Sequence, residues 1–398
     1  MNARTRVVVA LGLAQTLAWA SSYYLAAMLA VPMARDVGVS VSTVYAAFSA
    51  ALVVSALVGP HAGRAIDRWG GRPVLACTSL VFAAGLAMLA CASEPWSMFA
   101  GWVILGVGMG SGLYEGAFAS LVRLWGHAAR GPITGVTLFA GFASTVGWPL
   151  STWLEAHVGW QGACLTWAAL HVLLGLPLNL SIPTAAQCAA QTSEASASSD
   201  PVAPGADASW REAAMLSFVF AVTWFISTAM AAHLPRLVQL GGASLATAVF
   251  VGALIGPAQV AARLLEFGVL RRVHPLLSAR IAAALHPIGA IAFLWFGAPA
   301  AAVFGVLHGA GNGILTIAKG TLPLVVFGPQ GYGQRQGMLM VPARVAQAFA
   351  PWLFGVLLDR LGVQALWVSS ACALTALVAL FLLRRVTGAS SSPVAETT

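Results

Sequence analysis

The stretch GMGSGLYEGAFASL, residues 108–121, recurs in altered form as GAGNGILTIAKGTL at residues 309–322, an offset of 201 positions. Five of the 14 positions are identical, and they include all three glycines of a G-x-G-x-G run. Three further matches follow in the same order at offsets of 197 to 203: Gly59-Pro60 with Gly256-Pro257, Pro149 with Pro351, and Pro32 with Pro235. Several matches at nearly one spacing indicate an internal duplication. The sequence therefore predicts two related halves.

The composition is that of an integral membrane protein. Of the 398 residues, 59% are hydrophobic and 8% are charged. Soluble domains carry about 25% charged residues, so this chain has too few to cover a soluble globule. Its basic residues outnumber the acidic ones by 20 to 12. They lie between the hydrophobic runs, where they orient a multi-pass protein, and we expect no binding of nucleic acid.

Runs long enough to cross a bilayer need about 20 apolar residues, and the chain offers twelve. They cover residues 7–33, 41–62, 73–92, 96–123, 131–156, 160–182, 211–235, 243–265, 278–297, 300–325, 335–357 and 363–384. We therefore predict an all-α membrane protein with 12 transmembrane helices in two pseudo-symmetric six-helix bundles, residues 1–182 and 211–386. Because six crossings return the chain to the same side, the two halves are parallel repeats.

Two segments lack any hydrophobic period. The stretch between the halves, residues 183–210, is rich in Ala, Ser and Pro, and so is the tail, residues 387–398. Such segments cannot bury enough apolar surface to fold. We predict that both are disordered and that the first is a cytoplasmic linker.

The basic residues also predict the orientation. If the N-terminus is cytoplasmic, 15 of the 20 basic residues fall on the cytoplasmic side, Arg263 among them, and 3 fall on the other side. Cytoplasmic segments carry the excess of Lys and Arg, so both termini are expected to be cytoplasmic. All basic residues but Lys319 are Arg, and together with the abundant Ala this suggests a bacterial protein of the inner membrane.

The loop after the second span reads GRAIDRWGGRPVL, residues 63–75. It resembles the signature loop of the major facilitator superfamily, approximately G-x-x-x-D-R-x-G-R-R. The matching positions are Gly63, Asp67, Arg68, Gly70 and Arg72. Gly71 departs where the family prefers a basic residue, and the second half has no good copy of the loop. The resemblance implies a transporter that works by alternating access, with Asp67 and the neighbouring arginines forming a cytoplasmic gate.

Glu115, Lys319 and Arg344 lie inside predicted spans, where a buried charge costs about 2.5–3.5 kcal/mol or more. By the repeat offset, Glu115 aligns with Thr316, so Lys319 is expected about one turn away at a similar depth. In the resembling family, spans 1, 4, 7 and 10 line a central cavity. Either an ion pair across that cavity, between Glu115 and Lys319, or a watery cavity would remove the cost.

Polar residues recur at helical spacing on several of these spans, which points them to the bundle interior. With the charged groups they give the candidate substrate or coupling residues Glu115, Lys319, Arg344, His308, Asn312, Tyr114, Gln15 and Trp224. For the uncharged members, simple hydrogen bonding between helices is the alternative. His308 fits either packing or proton handling.

The three charges sum to +1, which suits an anionic substrate. Arg344 would bind a carboxylate through two hydrogen bonds, Lys319 would alternate between Glu115 and substrate, and Glu115 would take up a proton when its partner leaves. We therefore expect a secondary transporter for a small organic anion such as a monocarboxylate, moving with or against protons.

Other functions are less favoured. Efflux of amphipathic or cationic compounds is the main alternative, although span four has no arginine before its glycine run and span five reads GWPLSTWL (residues 147–154), both unlike proton-coupled drug exporters. A transport-inactive sensor is a third reading. The chain has no H-E-x-x-H, no G-x-S-x-G and no metal-spaced Cys/His cluster, so we expect no enzyme, no cofactor and no metal. Membrane lipid is an expected partner, and a monomer the expected state.

Overall fold

A computed structural model describes residues 3–184, 210–269 and 273–383. Within these ranges the chain consists of α-helices and short turns, without strands. The helices of the first half are α1 Ala3–Ser21, α2 Leu25–Val37, α3 Val41–Trp69, α4 Gly71–Ala90, α5 Pro95–Gly112, α6 Tyr114–Trp125, α7 Arg130–Ala140, α8 Ala143–Leu170 and α9 Leu176–Leu180. Those of the second half are α10 Trp210–Leu240, α11 Leu245–Gly268, α12 Pro275–Phe296, α13 Ala301–Phe327, α14 Tyr332–Leu361 and α15 Ala365–Leu382.

The apolar runs form helices because hydrocarbon offers no hydrogen bonds, so a crossing segment must satisfy its own backbone groups. Among the described residues, nine helical stretches are long and apolar enough to cross a membrane, and one of them, Pro95–Leu180, extends over 86 residues. The predicted all-helical, multi-pass architecture is confirmed, while the count of twelve crossings stays a prediction. The predicted tail, and the predicted linker apart from residues 183–184 and 210, lie outside the described residues.

Two of the predicted spans are interrupted where the functional residues lie. The first span breaks at residues 22–24, between α1 and α2. The fourth breaks at Leu113, whose extended backbone (φ −78°, ψ −161°) separates α5 from α6. Glu115 therefore lies in the first turn of a new helix, where unpaired backbone amides favour a negative charge.

The glycine runs of the repeat bring helices into close contact, as small residues do in membranes. A Cβ on Gly110 of α5 would lie 2.7 Å from the carbonyl oxygen of Ser55 on α3. In the second half, a Cβ on Gly309 of α13 would lie 2.8 Å from the carbonyl oxygen of Ile255 on α11. By these contacts Gly110 and Gly309 are equivalent, and they are 199 residues apart. The sequence alignment pairs Gly108 with Gly309, so it differs from this structural equivalence by two residues, or about 200° of rotation around a helix.

Candidate functional site

The centre of the bundle holds an ion pair between the two halves. Nη2 of Arg344, on α14, donates to Oε1 and Oε2 of Glu115, on α6, at 3.1 and 3.0 Å. The Arg344 side chain is 3% exposed and that of Glu115 is 12% exposed. The pair therefore offsets the burial of two charges that would each be costly alone.

A chain of hydrogen bonds continues from this ion pair. Nη1 of Arg344 donates to Oε1 of Gln347 at 3.2 Å. Nε2 of Gln347 donates to the hydroxyl of Tyr23 at 2.9 Å, and that hydroxyl lies 3.4 Å from Oγ1 of Thr228. The chain crosses between the halves at each end, because Glu115 and Tyr23 belong to the first half and the other members to the second. A movement that separates the two halves at this point would break part of it.

Lys319 lies beside this network without joining it. The expected ion pair between Glu115 and Lys319 is not formed, because the carboxylate is paired with Arg344. Instead Nζ of Lys319 lies 3.3 Å from the centre of the Trp224 ring, a cation–π contact. Among the described residues, this ammonium group has no ion pair and no hydrogen bond, although the side chain is buried.

Aromatic side chains from both halves surround the charges. The rings of Trp19 and Trp224 are stacked with their centres 6.2 Å apart, and Tyr114 packs on Trp19 at 4.9 Å. Arg344 also lies over Trp224, at 5.4 Å. The indole N–H groups of both tryptophans are buried without a hydrogen-bond partner among the described residues. We call these side chains the central cluster: Trp19, Trp224, Tyr114, Arg344, Glu115, Lys319, Gln347, Tyr23 and Thr228. The cluster is aromatic and rich in hydrogen-bond donors that have no partner among the described residues.

Gln15 belongs to a different place. Its Nε2 donates to the carbonyl oxygen of Gly112 at 2.6 Å, which satisfies an acceptor that the break at Leu113 leaves free. It lines a small cavity inside the first half, together with Asn179 and His171. The structure therefore places Gln15 against the helix break and not beside Glu115, and a role for it in substrate binding stays a prediction.

His308 and Asn312 also face away from the central cluster. They line a cavity inside the second half, bounded by α10, α12, α13 and α15. Nδ1 of His308 lies 3.0 Å from Nδ1 of His286, whose Nε2 lies 3.1 Å from Oγ of Ser369. Sequence reasoning missed His286, although a histidine inside an apolar span is itself a signal. The candidate residues of α13 are thus divided between two sites.

The signature loop contacts the second half of the chain at one end of the bundle, here called the motif end. Oδ1 and Oδ2 of Asp67 accept hydrogen bonds from the backbone N–H groups of Gly333 and Gln334, at 2.9 and 2.8 Å. These amides belong to the first turn of α14, so a carboxylate of one half caps a helix of the other. Gly63 makes this possible, since a Cβ there would lie 2.0 Å from the carbonyl oxygen of Gly333.

The remaining loop residues shape the turn between α3 and α4. Gly70 has a φ of +91°, which only glycine adopts readily, and it ends α3. Arg123 donates to the backbone carbonyls of Asp67 and Arg68, Arg68 itself is exposed, and Arg72 is half-buried. Gly71, where the resembling family prefers a basic residue, has no room for a side chain: a Cβ would lie 1.9 Å from Oγ of Ser120.

A second group of charges joins the halves between α7 and α11. Nη2 of Arg130 pairs with Oε1 of Glu266 at 3.3 Å. Arg263 is buried, and it donates to the carbonyl oxygen of Thr137 at 3.2 Å. Its side chain fills the contact between the halves, while its place on the cytoplasmic side stays a prediction.

The described residues contain no group of three or more His, Cys, Asp or Glu side chains that could hold a metal ion. The central cluster and the motif end are therefore sites of charge and hydrogen bonding, built where the two halves meet.

The family model for the Major Facilitator Superfamily matches residues 11–318. No match was found among curated protein sequences. Among solved structures, the chain is similar to the human organic anion transporter MFSD10 (TETRAN), with a TM-score of 0.73, 18% identity, and coverage of 96% of this chain and 100% of that one.

Two further solved structures have the same fold. The proton:xylose symporter XylE, bound to 6-bromo-6-deoxy-D-glucose, has a TM-score of 0.72 and 12% identity, over 95% of each chain. FucP in the outward conformation has a TM-score of 0.68 and 13% identity, over 94% of this chain and 97% of that one.

Proposed function

Because the chain belongs to the Major Facilitator Superfamily and is a secondary transporter in general terms, we propose that its substrate is a small organic anion, of the monocarboxylate class. One observation carries the proposal. Lys319 is a buried cation whose ammonium group has no anionic partner among the described residues. A buried unpaired charge is costly in a membrane, and a substrate carboxylate would supply the missing partner.

The balance of charges and donors supports the same substrate class. Glu115 contributes one formal negative charge, while Arg344 and Lys319 contribute two positive charges, so the central cluster carries +1. Its unused groups are mainly donors: the Lys319 ammonium and the indole N–H groups of Trp19 and Trp224. A carboxylate offers only acceptors, and an aromatic or aliphatic body would pack on the tryptophan rings.

The ion pair suggests how binding could lead to movement and proton coupling. A carboxylate on Lys319 would compete with Glu115 for Arg344, which can bind either group through two hydrogen bonds. When Arg344 turns to the substrate, Glu115 loses its partner and becomes a proton acceptor. The hydrogen-bond chain through Gln347 and Tyr23 would then be released, which frees the halves to rock about the site.

Efflux of amphipathic or cationic compounds is the second candidate, and the aromatic wall favours it. Tryptophan faces bind organic cations, and Glu115 is the more exposed member of its ion pair. Against it, Lys319 already occupies one face of Trp224. A cation would have to displace a charge of its own sign from that face.

We propose that Asp67, with Gly63, Arg68, Gly70 and Arg72, forms the gate at the motif end. The two hydrogen bonds from α14 to Asp67 would hold that end closed, and their loss would open it. FucP, which has the same fold, has been solved in an outward conformation. If the motif end is cytoplasmic, that conformation corresponds to a closed motif end.

The topology also belongs to the proposal. Twelve crossings with both termini in the cytoplasm of a bacterial inner membrane would place the motif end on the cytoplasmic side, in agreement with the bias of basic residues. A reporter that is active only in the cytoplasm, fused after residue 398, should be active. Activity of a periplasmic reporter at the same point would contradict this topology.

A matched ligand series tests the anion proposal. Benzoate, benzamide and benzamidine have nearly the same shape and carry charges of −1, 0 and +1. We expect carboxylates from a panel that includes benzoate to stabilise the purified protein in a thermal-shift assay, by about 2.7 kcal/mol at 100 times the dissociation constant. The Lys319→Gln variant should lose this effect, whereas Arg360→Gln, which alters an exposed cation, should keep it.

The opposite pattern would overturn the proposal. Stabilisation by benzamidine and other cations that disappears in Glu115→Gln, and persists in Lys319→Gln, would assign the protein to cation efflux. The MFSD10 likeness does not decide between these outcomes, because at 18% identity it concerns the fold.

A further inference from the structure

The cavity inside the second half holds two histidines whose protonation can be assigned from their partners. Oγ of Ser369 lies 3.1 Å from the carbonyl oxygen of Leu366, to which it donates its only hydrogen. With its hydrogen on Leu366, Ser369 accepts from Nε2–H of His286. A neutral imidazole carries one N–H, so Nδ1 of His286 is an acceptor, and His308 donates its Nδ1–H to it across 3.0 Å.

This assignment leaves Nε2 of His308 as a free lone pair. It forms no hydrogen bond with any described residue, and the His308 side chain lines the cavity while remaining 5% exposed. The cavity has a volume of about 30 Å³, which is room for about two waters. Thr223, Ser227 and Asn312 add polar groups to its wall. The cavity is too small for an organic substrate, but it is large enough to bring water to the ring.

We propose that the His286–His308 pair is a proton-binding site of this transporter. A hydronium ion in the cavity would give its proton to Nε2 of His308, so that one O–H bond breaks, one N–H bond forms and a water molecule remains. His308 then becomes a charged donor, and its hydrogen bond to His286 is strengthened, as charge-assisted bonds are. A second proton would place two positive rings in contact, so the pair binds one.

No other charged group competes for this proton among the described residues. The rings pack against α10, α12, α13 and α15, and none of the charged side chains on these helices forms an ion pair or hydrogen bond with them. Lys319 lies 11 residues further along α13, over Trp224. Arg280 donates to the carbonyl oxygen of Leu380, at the end of α15, and the thiol on α15, Cys372, is partly buried.

The position of the pair explains how a proton there could influence transport. The helices α10 and α13 form part of the cavity wall, and they also carry Trp224 and Lys319 of the central cluster. A positive charge on the pair would add to the attraction for an anion there. The role of coupling ion rests on the proposed function, whereas the binding of a proton does not.

The first half supplies a matched control. Nε2 of His171 lies 2.7 Å from Oγ of Ser21, which donates to the carbonyl oxygen of Leu17 at 2.8 Å. His171 is thus another buried histidine held by a serine, facing a small cavity between helices. It has no second imidazole within hydrogen-bond distance among the described residues, so it lacks the feature on which the proposal rests.

The test is a pH titration of the full-length protein labelled with ¹⁵N-histidine, followed by NMR, which distinguishes both neutral tautomers from the charged ring. The chain has 8 histidines, and His286→Gln, His308→Gln and His171→Gln identify the signals. We expect His286 and His308 to shift together with one midpoint and the uptake of one proton. His308→Gln should abolish the shift of His286, His286→Gln should change the proton affinity of His308 at least tenfold, and His171→Gln should change neither.

Two results would overturn the proposal: both rings remain neutral at every pH at which the protein stays folded, or His171→Gln moves the midpoint as far as His286→Gln does. The titration involves no substrate, so the proton-binding proposal can fail while carboxylates still bind at Lys319. Carboxylate binding can likewise fail while the histidine pair still binds a proton. Coupling is tested in vesicles with benzoate. His308→Gln should reduce the benzoate uptake driven by a proton gradient at least tenfold and leave benzoate exchange unchanged. Unchanged gradient-driven uptake would show that the pair does not couple protons to transport.

Discussion

Gly63 and Gly333 bring the backbones of α3 and α14 into direct contact, so closely that a Cβ on Gly63 would lie 2.0 Å from the carbonyl oxygen of Gly333. The two helices belong to different halves of the chain. This contact positions Asp67, one turn further along α3, against the first amides of α14. The contact between the halves at the motif end therefore depends on the absence of a side chain at Gly63 and the presence of the Asp67 carboxylate.

Gly63→Ala should open the motif end. The added methyl group overlaps backbone that cannot move away alone, and overpacking of this kind costs about 1–3 kcal/mol. The cost falls only on the closed state, so the equilibrium should shift towards separated helices. Spin labels at His61 and Met338, exposed positions on α3 and α14, would report a longer distance. Gly252→Ala, on α11 with open space around its Cβ, should leave the distance unchanged.

Asp67→Asn should open the same end without any steric change. Asparagine keeps the shape of the side chain but has one acceptor oxygen and no charge, so one of the two bonds to α14 is lost. Hydrogen bonds to charged groups contribute about 1.5–3 kcal/mol, and the helix terminus adds a smaller attraction. The same spin-label pair should report a longer distance. An unchanged distance would mean that the glycine contact alone holds the helices together.

The ion pair of Glu115 and Arg344 should behave as one unit. Glu115→Gln or Arg344→Gln leaves the other charge buried without its partner, at a cost of about 3–5 kcal/mol. The double variant removes both charges, so its loss of stability should be smaller than the sum of the two single losses. Unfolding in detergent, measured for all four proteins, gives this coupling energy directly. Additive losses would show that the two side chains do not stabilise each other.

The sequence predicts the charged residues of the site better than their partners. Glu115, Lys319 and Arg344 stand out because full charges are rare in apolar spans. Their pairing could not be predicted, since the contacts of Gly110 and Gly309 displace the repeat alignment by two residues, and side chains aligned in sequence point to different sides of their helices.

Other parts of the site depend on breaks in helices that periodicity treats as continuous. Tyr23 lies in the turn between α1 and α2, so the helical spacing of polar residues on the first span does not predict its position. The partner of Asp67 is a pair of backbone amides, which have no signature in the sequence. The signature loop was recognisable from its residues, but the place where it contacts the second half was not.

The contact of Lys319 with Trp224 can be tested with two substitutions of the tryptophan. Phenylalanine at position 224 keeps an aromatic face under the ammonium group, whereas leucine removes it. A desolvated cation–π contact contributes about 2 kcal/mol or more, so Trp224→Leu should destabilise the protein more than Trp224→Phe, by an amount of that order. Unfolding in detergent measures the difference between the two variants.

The same pair of substitutions in a Lys319→Gln background separates this contact from ordinary packing. Without the cation, leucine and phenylalanine should differ only by their size and fit, so the gap between them should shrink. A gap of the same size in both backgrounds would show that Trp224 supports the fold through its volume. The ring would then contribute little to holding Lys319 in place.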